Sequence, residues 1–174
     1  VHYDATTRTY VLPPEHAAVL ADETSPAFMV GGFETAIGAF QILGRLEEAF
    51  RSGDGIPWGA HDPHMFCGVE RFFGPAYRHQ LVSEWLPALD GVVAKLEAGA
   101  RVADVGCGHG ASAIRLAQAF PCTTVVGFDV HPESVKTATE RAAAAGVGDR
   151  VRFECATAQQ FPGEGYDLVA FFDC

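Results

Sequence analysis

The chain has few positive charges for its length. Its 174 residues include 12 Lys and Arg against 22 Asp and Glu, so the formal net charge is −10. The basic residues form no run, and acidic residues are in excess both before and after residue 100. Binding to nucleic acid through phosphate neutralisation is therefore disfavoured, and so is docking on an anionic membrane.

Cysteine and long apolar runs are also scarce. The five cysteines are scattered and odd in number, which excludes a dense disulfide framework and indicates reduced thiols in a cytoplasmic protein. No apolar run is long enough to span a membrane. Apolar residues nevertheless make up 48% of the chain, so a sizeable core is expected and disorder is not.

The first 98 residues predict a mostly helical region that opens with a β-hairpin. Two β-prone pieces flank the polar tip "DATTR" within residues 1–12. "PPEHAAVLAD" then predicts a short helix, and apolar residues near helical spacing predict a long helical stretch from Ser25 to about Arg51. "SGDGIPWG" breaks that pattern, and further helices are expected over residues 61–98.

After residue 100, predicted strands alternate with predicted helices. The strands are "RVADVG", "TTVVGFDV", "RVRFECA" and "YDLVAFF", with helices after the first two. Such alternation predicts a parallel sheet with crossover connections. The fold class is therefore α/β, with a Rossmann-like parallel sheet that follows the helical region. The sheet is expected to be incomplete in this chain, which we expect to continue beyond Cys174 and to start before Val1.

A glycine turn follows the first strand of this sheet, in "RVADVGCGHGASAIRLAQAF". Gly106, Gly108 and Gly110 let the backbone approach a ligand and adopt positive φ, and the next helix begins with free N–H donors. Asp129 ends the second strand about 20 residues later, where a carboxylate can accept from the hydroxyls of a ribose. This pair of features predicts an adenosine-containing ligand.

Two ligands of that kind compete. Gly106-x-Gly108-x-x-Ala111 satisfies the loose dinucleotide fingerprint and would suit NAD. Asp104 precedes the turn, however, and its carboxylate would repel a pyrophosphate while favouring a ligand with an ammonium and a sulfonium. That electrostatic difference favours S-adenosylmethionine as the cofactor.

Four segments resemble the motifs of class I S-adenosylmethionine-dependent methyltransferases. "VADVGCGHG" is similar to their first motif, "VVGFDV" to the second, "RVRFECATAQQFP" to the adenine-cupping segment, and "YDLVAFFDC" to the fourth strand. "VHYDATTRTYVLPPEHAAVLAD" resembles more weakly the winged-helix dimerisation domain of small-molecule O-methyltransferases. The resemblance implies a winged-helix remnant with a helical dimerisation or lid region over residues 1–98. It implies the first half of a cofactor-binding domain over residues 99–174.

The resemblance also assigns roles to residues of the site. Asp104 would support the loop or the amino group of the ligand, and Asp129 would accept from the two ribose hydroxyls. Phe172 would line the site. Independently of the resemblance, Asp173 lies at the strand end where a general base would assist transfer to an alcohol or phenol, and it is our candidate for that base. A histidine just beyond residue 174 is an equally good candidate. Thr157 stands where the family usually has an aspartate. The full set of cofactor-binding residues is Asp104, Gly106, Cys107, Gly108, Gly110, Asp129, Val130, Thr157, Ala158 and Phe172.

We therefore expect methyl transfer to a small-molecule acceptor by a cytoplasmic homodimer. One alternative is an NAD-dependent oxidoreductase, and another is a non-catalytic winged-helix regulator with a methyltransferase-like sensor domain. His61, His64 and Cys67 lie at metal-ligand spacing, but Pro63 interrupts them and no fourth ligand is evident. No metal site is therefore expected.

Overall fold

The computed structural model describes residues 1–172, which divide into two compact units. One unit, called the helical unit here, contains residues 1–52 and 61–76. The other, called the sheet unit, contains residues 53–60 and the chain from Tyr77 onward. Every helix in the described part of the chain is too short or too polar to cross a bilayer.

The helical unit begins with the predicted hairpin. The predicted helical stretch over residues 25–51 is helical from Val30 onward and is divided into two helices at Ile42, whereas residues 25–29 are not helical. Ile42 has φ −110° and ψ 18°, and its N–H donates to the carbonyls of Ala39 and Phe40 in a tighter turn. The elements of this unit are β1 (His2–Asp4), β2 (Thr9–Val11), α1 (Pro14–Leu20), α2 (Val30–Gln41), α3 (Leu43–Ser52) and α4 (Pro63–Ala76).

Glycines set the distance between α2 and α4. A Cβ at Gly38 would lie 2.6 Å from the backbone nitrogen of Met65, and Gly31 and Gly68 meet the opposite helix equally closely. The two helix backbones therefore touch along this seam. The opposite face of α2 carries Phe33, which is left exposed.

The sheet unit has the predicted α/β architecture. Its four strands are parallel in the order β5-β4-β3-β6, which confirms the predicted Rossmann-like sheet. The elements are a 3₁₀ turn (Trp58–Ala60), a π-helix (Tyr77–Trp85), α5 (Val92–Gly99), β3 (Arg101–Val105), α6 (Ala111–Ala119), β4 (Thr124–Asp129), α7 (Pro132–Ala144), β5 (Val151–Cys155) and β6 (Leu168–Phe171).

The sheet buries side chains on both faces, as parallel sheets do. Val102 and Val125 pack on one face in the same cluster as Leu116 of α6. Val105 and Phe128 belong to the cluster on the other face. Because β4 and β6 flank β3, the strand order reverses at β3, and ligands bind outside the carboxyl ends of the strands at such a reversal.

Candidate functional site

The glycine turn follows β3 at this reversal point. Gly106, Gly108 and Gly110 have φ of 74°, 51° and 80°, a left-handed region that residues with a Cβ rarely adopt. The amides of Gly106 and Cys107 donate to the carbonyl of Phe128 at 2.8 and 3.0 Å. The turn is therefore fastened to β4 by its backbone.

The glycines of the turn differ in what lies above them. A Cβ at Gly110 would lie 2.6 Å from Cζ of Phe153 and 3.0 Å from the Cβ of Ala138, so this position packs helix against sheet. A Cβ at Gly108 would meet no atom within 4 Å. Gly108 therefore presents its backbone to open space, where a ligand can approach it.

The carboxylate of Asp129 holds the turn from the neighbouring strand end. Its Oδ2 accepts from the amide of Gly108 at 2.8 Å, and its Oδ1 accepts from the amide of His131 at 2.9 Å. An ionised carboxylate has about four acceptor positions, so each oxygen keeps one for a further donor. The side chain is buried, with 6% of its surface exposed.

Asp104 is buried in β3 behind the turn. Its Oδ2 accepts from the hydroxyl of Ser112 at 2.5 Å, whereas its Oδ1 is buried without a hydrogen-bond partner among the described residues. Burial raises the pKa of Asp104 to about 6, hydrogen bonds from the Ser112 hydroxyl and the Ala113 amide lower it, and the nearby charge of Asp129 raises it. The site thus contains a carboxylate oxygen that lacks a donor or a cation.

The thiol of Cys107 is directed into the sheet. A Cβ at Gly127 would lie 2.9 Å from Sγ of Cys107. Burial raises the pKa of this thiol, and the charges of Asp104 and Asp129 raise it further. The side chain is therefore a packing residue without thiolate character, while its backbone contributes to the turn.

Beyond Asp129, the chain exposes one side of the site. Val130 is 52% exposed directly after β4. The amide of Ala156 donates to the carbonyl of Asp129 at 3.0 Å, which joins the segment after β5 to the end of β4. Thr157 and Ala158 follow on this segment and are exposed. An apolar surface and backbone groups therefore lie together at this end, as a purine would require.

Aromatic rings border the end of β6. Phe172 packs against Tyr77 with ring centroids 5.2 Å apart and against Trp85 at 6.0 Å. Both partners lie on the π-helix, an arrangement often found at functional sites. The predicted general base, Asp173, lies outside the described residues.

The sequence pattern missed the residues that support the site from within. Ser112 and Phe153 were not predicted, because their roles depend on contacts across the sheet rather than on spacing. No set of three or more His, Cys, Asp or Glu side chains within residues 1–172 is placed to hold a metal ion. The prediction that no metal binds stays a prediction.

The second half of the chain is similar in sequence to known methyltransferases. The family model described as "Methyltransferase domain" matches residues 102–174. The 27-O-demethylrifamycin SV methyltransferase of Amycolatopsis mediterranei is 42% identical over 76 residues, which cover 42% of this chain and 28% of that enzyme. The trans-aconitate 2-methyltransferase of Streptomyces avermitilis is 35% identical over 71 residues, which cover 40% of this chain and 26% of that enzyme.

The chain spans about a quarter of the length of these curated relatives. A solved structure of an O-methyltransferase family protein from Burkholderia thailandensis covers more of it. That structure matches 91% of this chain and 48% of its own, with a TM-score of 0.62 and 22% identity. At this identity the likeness concerns the fold.

Proposed function

We propose that the protein, whose residues 102–174 match the family model described as "Methyltransferase domain", transfers a methyl group from S-adenosylmethionine to a small-molecule acceptor. Bound S-adenosylmethionine supplies an activated methyl group on a sulfonium. The protein then has to bind the cofactor, align the acceptor and exclude water. Alignment of two reactants alone can supply about 7–11 kcal/mol of the barrier.

The observation that carries the proposal is the pairing of an open glycine with two carboxylates. Gly108 leaves space for a ligand above its backbone, and Asp104 has a buried oxygen without a partner. Asp129 lies beside both, since it accepts from the Gly108 amide and its charge raises the pKa of Asp104. These two carboxylates can accept hydrogen bonds from a cationic amino group and from the hydroxyls of a ribose.

Each remaining residue has a role within this arrangement. The free acceptor positions of Asp129 would take the ribose hydroxyls, and the exposed side chain of Val130 would pack against the adenine. Thr157 and Ala158 would offer a hydroxyl and a backbone amide to the adenine edge. Phe172 would line the cofactor site at the end of β6, with Asp173 as the general base of the transfer.

The same carboxylates disfavour a dinucleotide. A pyrophosphate above Gly108 would lie close to Asp104 and Asp129, and like charges in a partly buried site repel strongly. An NAD-dependent oxidoreductase therefore fits this turn less well, although its glycine spacing satisfies the loose fingerprint.

Calorimetric titration tests the proposal. The full protein is titrated with S-adenosylmethionine, S-adenosylhomocysteine and NAD, beside the variants Asp129→Asn and Asp149→Asn. Asp149 is exposed beside Arg150 and is the matched control. We expect binding of the first two ligands, its loss in Asp129→Asn and its retention in Asp149→Asn. Binding of NAD alone would contradict the methyltransferase proposal and favour the NAD-dependent oxidoreductase.

We propose further that the protein is a cytoplasmic homodimer. Three phenylalanines of the helical unit, Phe33, Phe40 and Phe50, are 60%, 69% and 82% exposed. Exposed apolar surface of this extent is typical of an interface between subunits. The hairpin and α1 of residues 1–20 support a winged-helix remnant within a first module of residues 1–98, before a cofactor-binding module of residues 99–174.

A further inference from the structure

A short segment from the middle of the helical region belongs to the sheet unit. Residues 53–60 pack with the sheet, although residues 1–52 and 61–76 on either side belong to the helical unit. The segment ends in the 3₁₀ turn Trp58–Ala60, called the Trp58 turn here.

The Trp58 turn lies on the imidazole of His131. A Cβ at Gly59 would lie 3.4 Å from Cδ2 of His131, so the turn backbone is close to van der Waals contact with the ring. A Cβ at this position would just contact the ring, so a larger branched side chain would press on it. Trp58 is the adjacent residue and is 37% exposed.

His131 is a rigid platform within the candidate site. Its Nδ1 is 2.9 Å from the Ser134 hydroxyl, and its Nε2 is 3.2 Å from the carboxylate of Glu133. Its amide donates to the carboxylate of Asp129 at 2.9 Å. The ring is thus held at both nitrogens, one residue beyond the exposed Val130. Whatever rests on this ring lies next to the adenosine end of the site.

We propose that the Trp58 turn is the outer wall of the adenosine subsite, with Trp58 facing the purine and Gly59 fixing the turn on His131. The proposal rests on the proposed function, because it requires an adenosine-containing cofactor beside Asp129. An indole beside a purine is well suited to recognition, since stacking of a base on an aromatic side chain favours binding without requiring a specific hydrogen bond. Trp58 and Gly59 are therefore positioning residues for the cofactor.

Two variants of the same segment separate this role from a general effect on the loop. Gly59→Val places a branched side chain against His131 and displaces the turn. Gly55→Val is the matched control, because a Cβ at Gly55 would meet no atom within 4 Å. Trp58→Leu removes the indole and leaves the backbone of the turn unchanged.

The experiment measures the Kd of S-adenosylhomocysteine by calorimetry, its effect on tryptophan fluorescence, and the Tm of each full-chain variant. We expect Gly59→Val and Trp58→Leu to bind S-adenosylhomocysteine at least tenfold more weakly. Gly55→Val should bind like the wild type. The fluorescence change on binding should be smaller in Trp58→Leu, where the remaining tryptophan is Trp85, which packs against Phe172.

The results separate the two proposals. If both Gly59→Val and Trp58→Leu bind S-adenosylhomocysteine as tightly as the wild type, the Trp58 turn does not form a wall of the adenosine subsite. The methyltransferase proposal would remain intact. A fluorescence change as large in Trp58→Leu as in the wild type would also overturn the proposed wall. Failure of the wild-type protein to bind S-adenosylhomocysteine would overturn both. Should Gly59→Val fail to fold, Trp58→Leu alone decides the outcome.

Discussion

A buried carboxylate without a cation costs the unliganded protein stability, and Asp104 is such a group. Its pKa is about 6 in the folded chain against an ordinary value of 3.8, so the folded state binds more protons between these values. Stability therefore falls as the pH rises from about 4 to 6. The penalty is fully present above pH 6, where it amounts to about 3 kcal/mol at 1.36 kcal/mol per pKa unit.

Asp104→Asn should therefore stabilise the unliganded protein above pH 6 and weaken cofactor binding. The amide oxygen of asparagine can still accept from Ser112, while the buried charge is removed. Urea unfolding measured between pH 4 and 8 checks this. We expect the advantage of the variant to vanish near pH 4, where the wild-type carboxyl is neutral. An advantage independent of pH, or none at all, would contradict the assignment of this charge.

Substitutions of Gly108 and Gly110 in the glycine turn should have different effects. Gly108→Ala strains a left-handed residue by about 1–2 kcal/mol and projects its methyl group into the open space of the site. Gly110→Ala adds to a similar strain an overpacking against Phe153 of about 1–3 kcal/mol.

Gly108→Ala should therefore mainly weaken binding, and Gly110→Ala should mainly weaken the fold. Calorimetry with S-adenosylhomocysteine and urea midpoints on the same two preparations measure the two effects separately. The reverse pattern would mean that Gly110, rather than Gly108, faces the ligand.

At the scale of elements, the α/β half of the chain could be predicted closely. Strand β3 occupies Arg101–Val105 and strand β4 occupies Thr124–Asp129, as their apolar runs indicate. Local signals sufficed because a strand buried on both faces has a continuous apolar sequence. The Rossmann-like sheet predicted from the strand and helix pattern is confirmed by the parallel order β5-β4-β3-β6.

The helical half was harder to predict, because its signals are shared by several arrangements. Apolar spacing continues across Ile42, yet the chain forms two helices there. The spacing of apolar residues does not show which of them are buried against another element. The exposure of Phe40 and Phe50 therefore could not be predicted from the sequence. Residues 53–60 belong to the sheet unit because of contacts with residues distant in sequence. No local sequence pattern predicted that placement.

Thr123 joins α5 to the sheet. Its hydroxyl donates to the carbonyl of Leu96 at 2.7 Å and accepts from the amide of Ala100 at 3.3 Å, and the side chain is fully buried. Thr123→Val keeps the shape and leaves two buried backbone groups without this partner. The expected loss is about 2 kcal/mol in the free energy of unfolding.

The neighbouring Thr124 supplies the control, because it is exposed at the start of β4. Thr124→Val should change stability by less than about 0.5 kcal/mol. Thermal unfolding of both variants at one pH makes the comparison. Equal stability of the two variants would show that the buried hydroxyl does not hold α5 in place.

At the scale of the whole molecule, the proposed dimer depends on surface that the helical unit leaves uncovered. Helix α3 buries none of its residues, yet Leu43, Leu46 and Phe50 recur on it at helical spacing. The exposed parts of Phe33, Phe40 and Phe50 amount to roughly 400 Å² if each ring can bury about 200 Å². That is about half of the 800 Å² that each partner buries in a stable interface.

The double variant Phe40→Ser and Phe50→Ser should therefore shift the protein from dimer to monomer. The control is Leu20→Ser, which removes an exposed apolar side chain from α1. Light scattering after size exclusion, at two protein concentrations, measures the mass of the wild type and of both variants. Because these side chains are already exposed in the chain, their loss should leave the Tm of the monomer unchanged. A double variant that keeps the dimeric mass would place the subunit contact on another surface, whereas a monomeric wild type would refute the dimer itself.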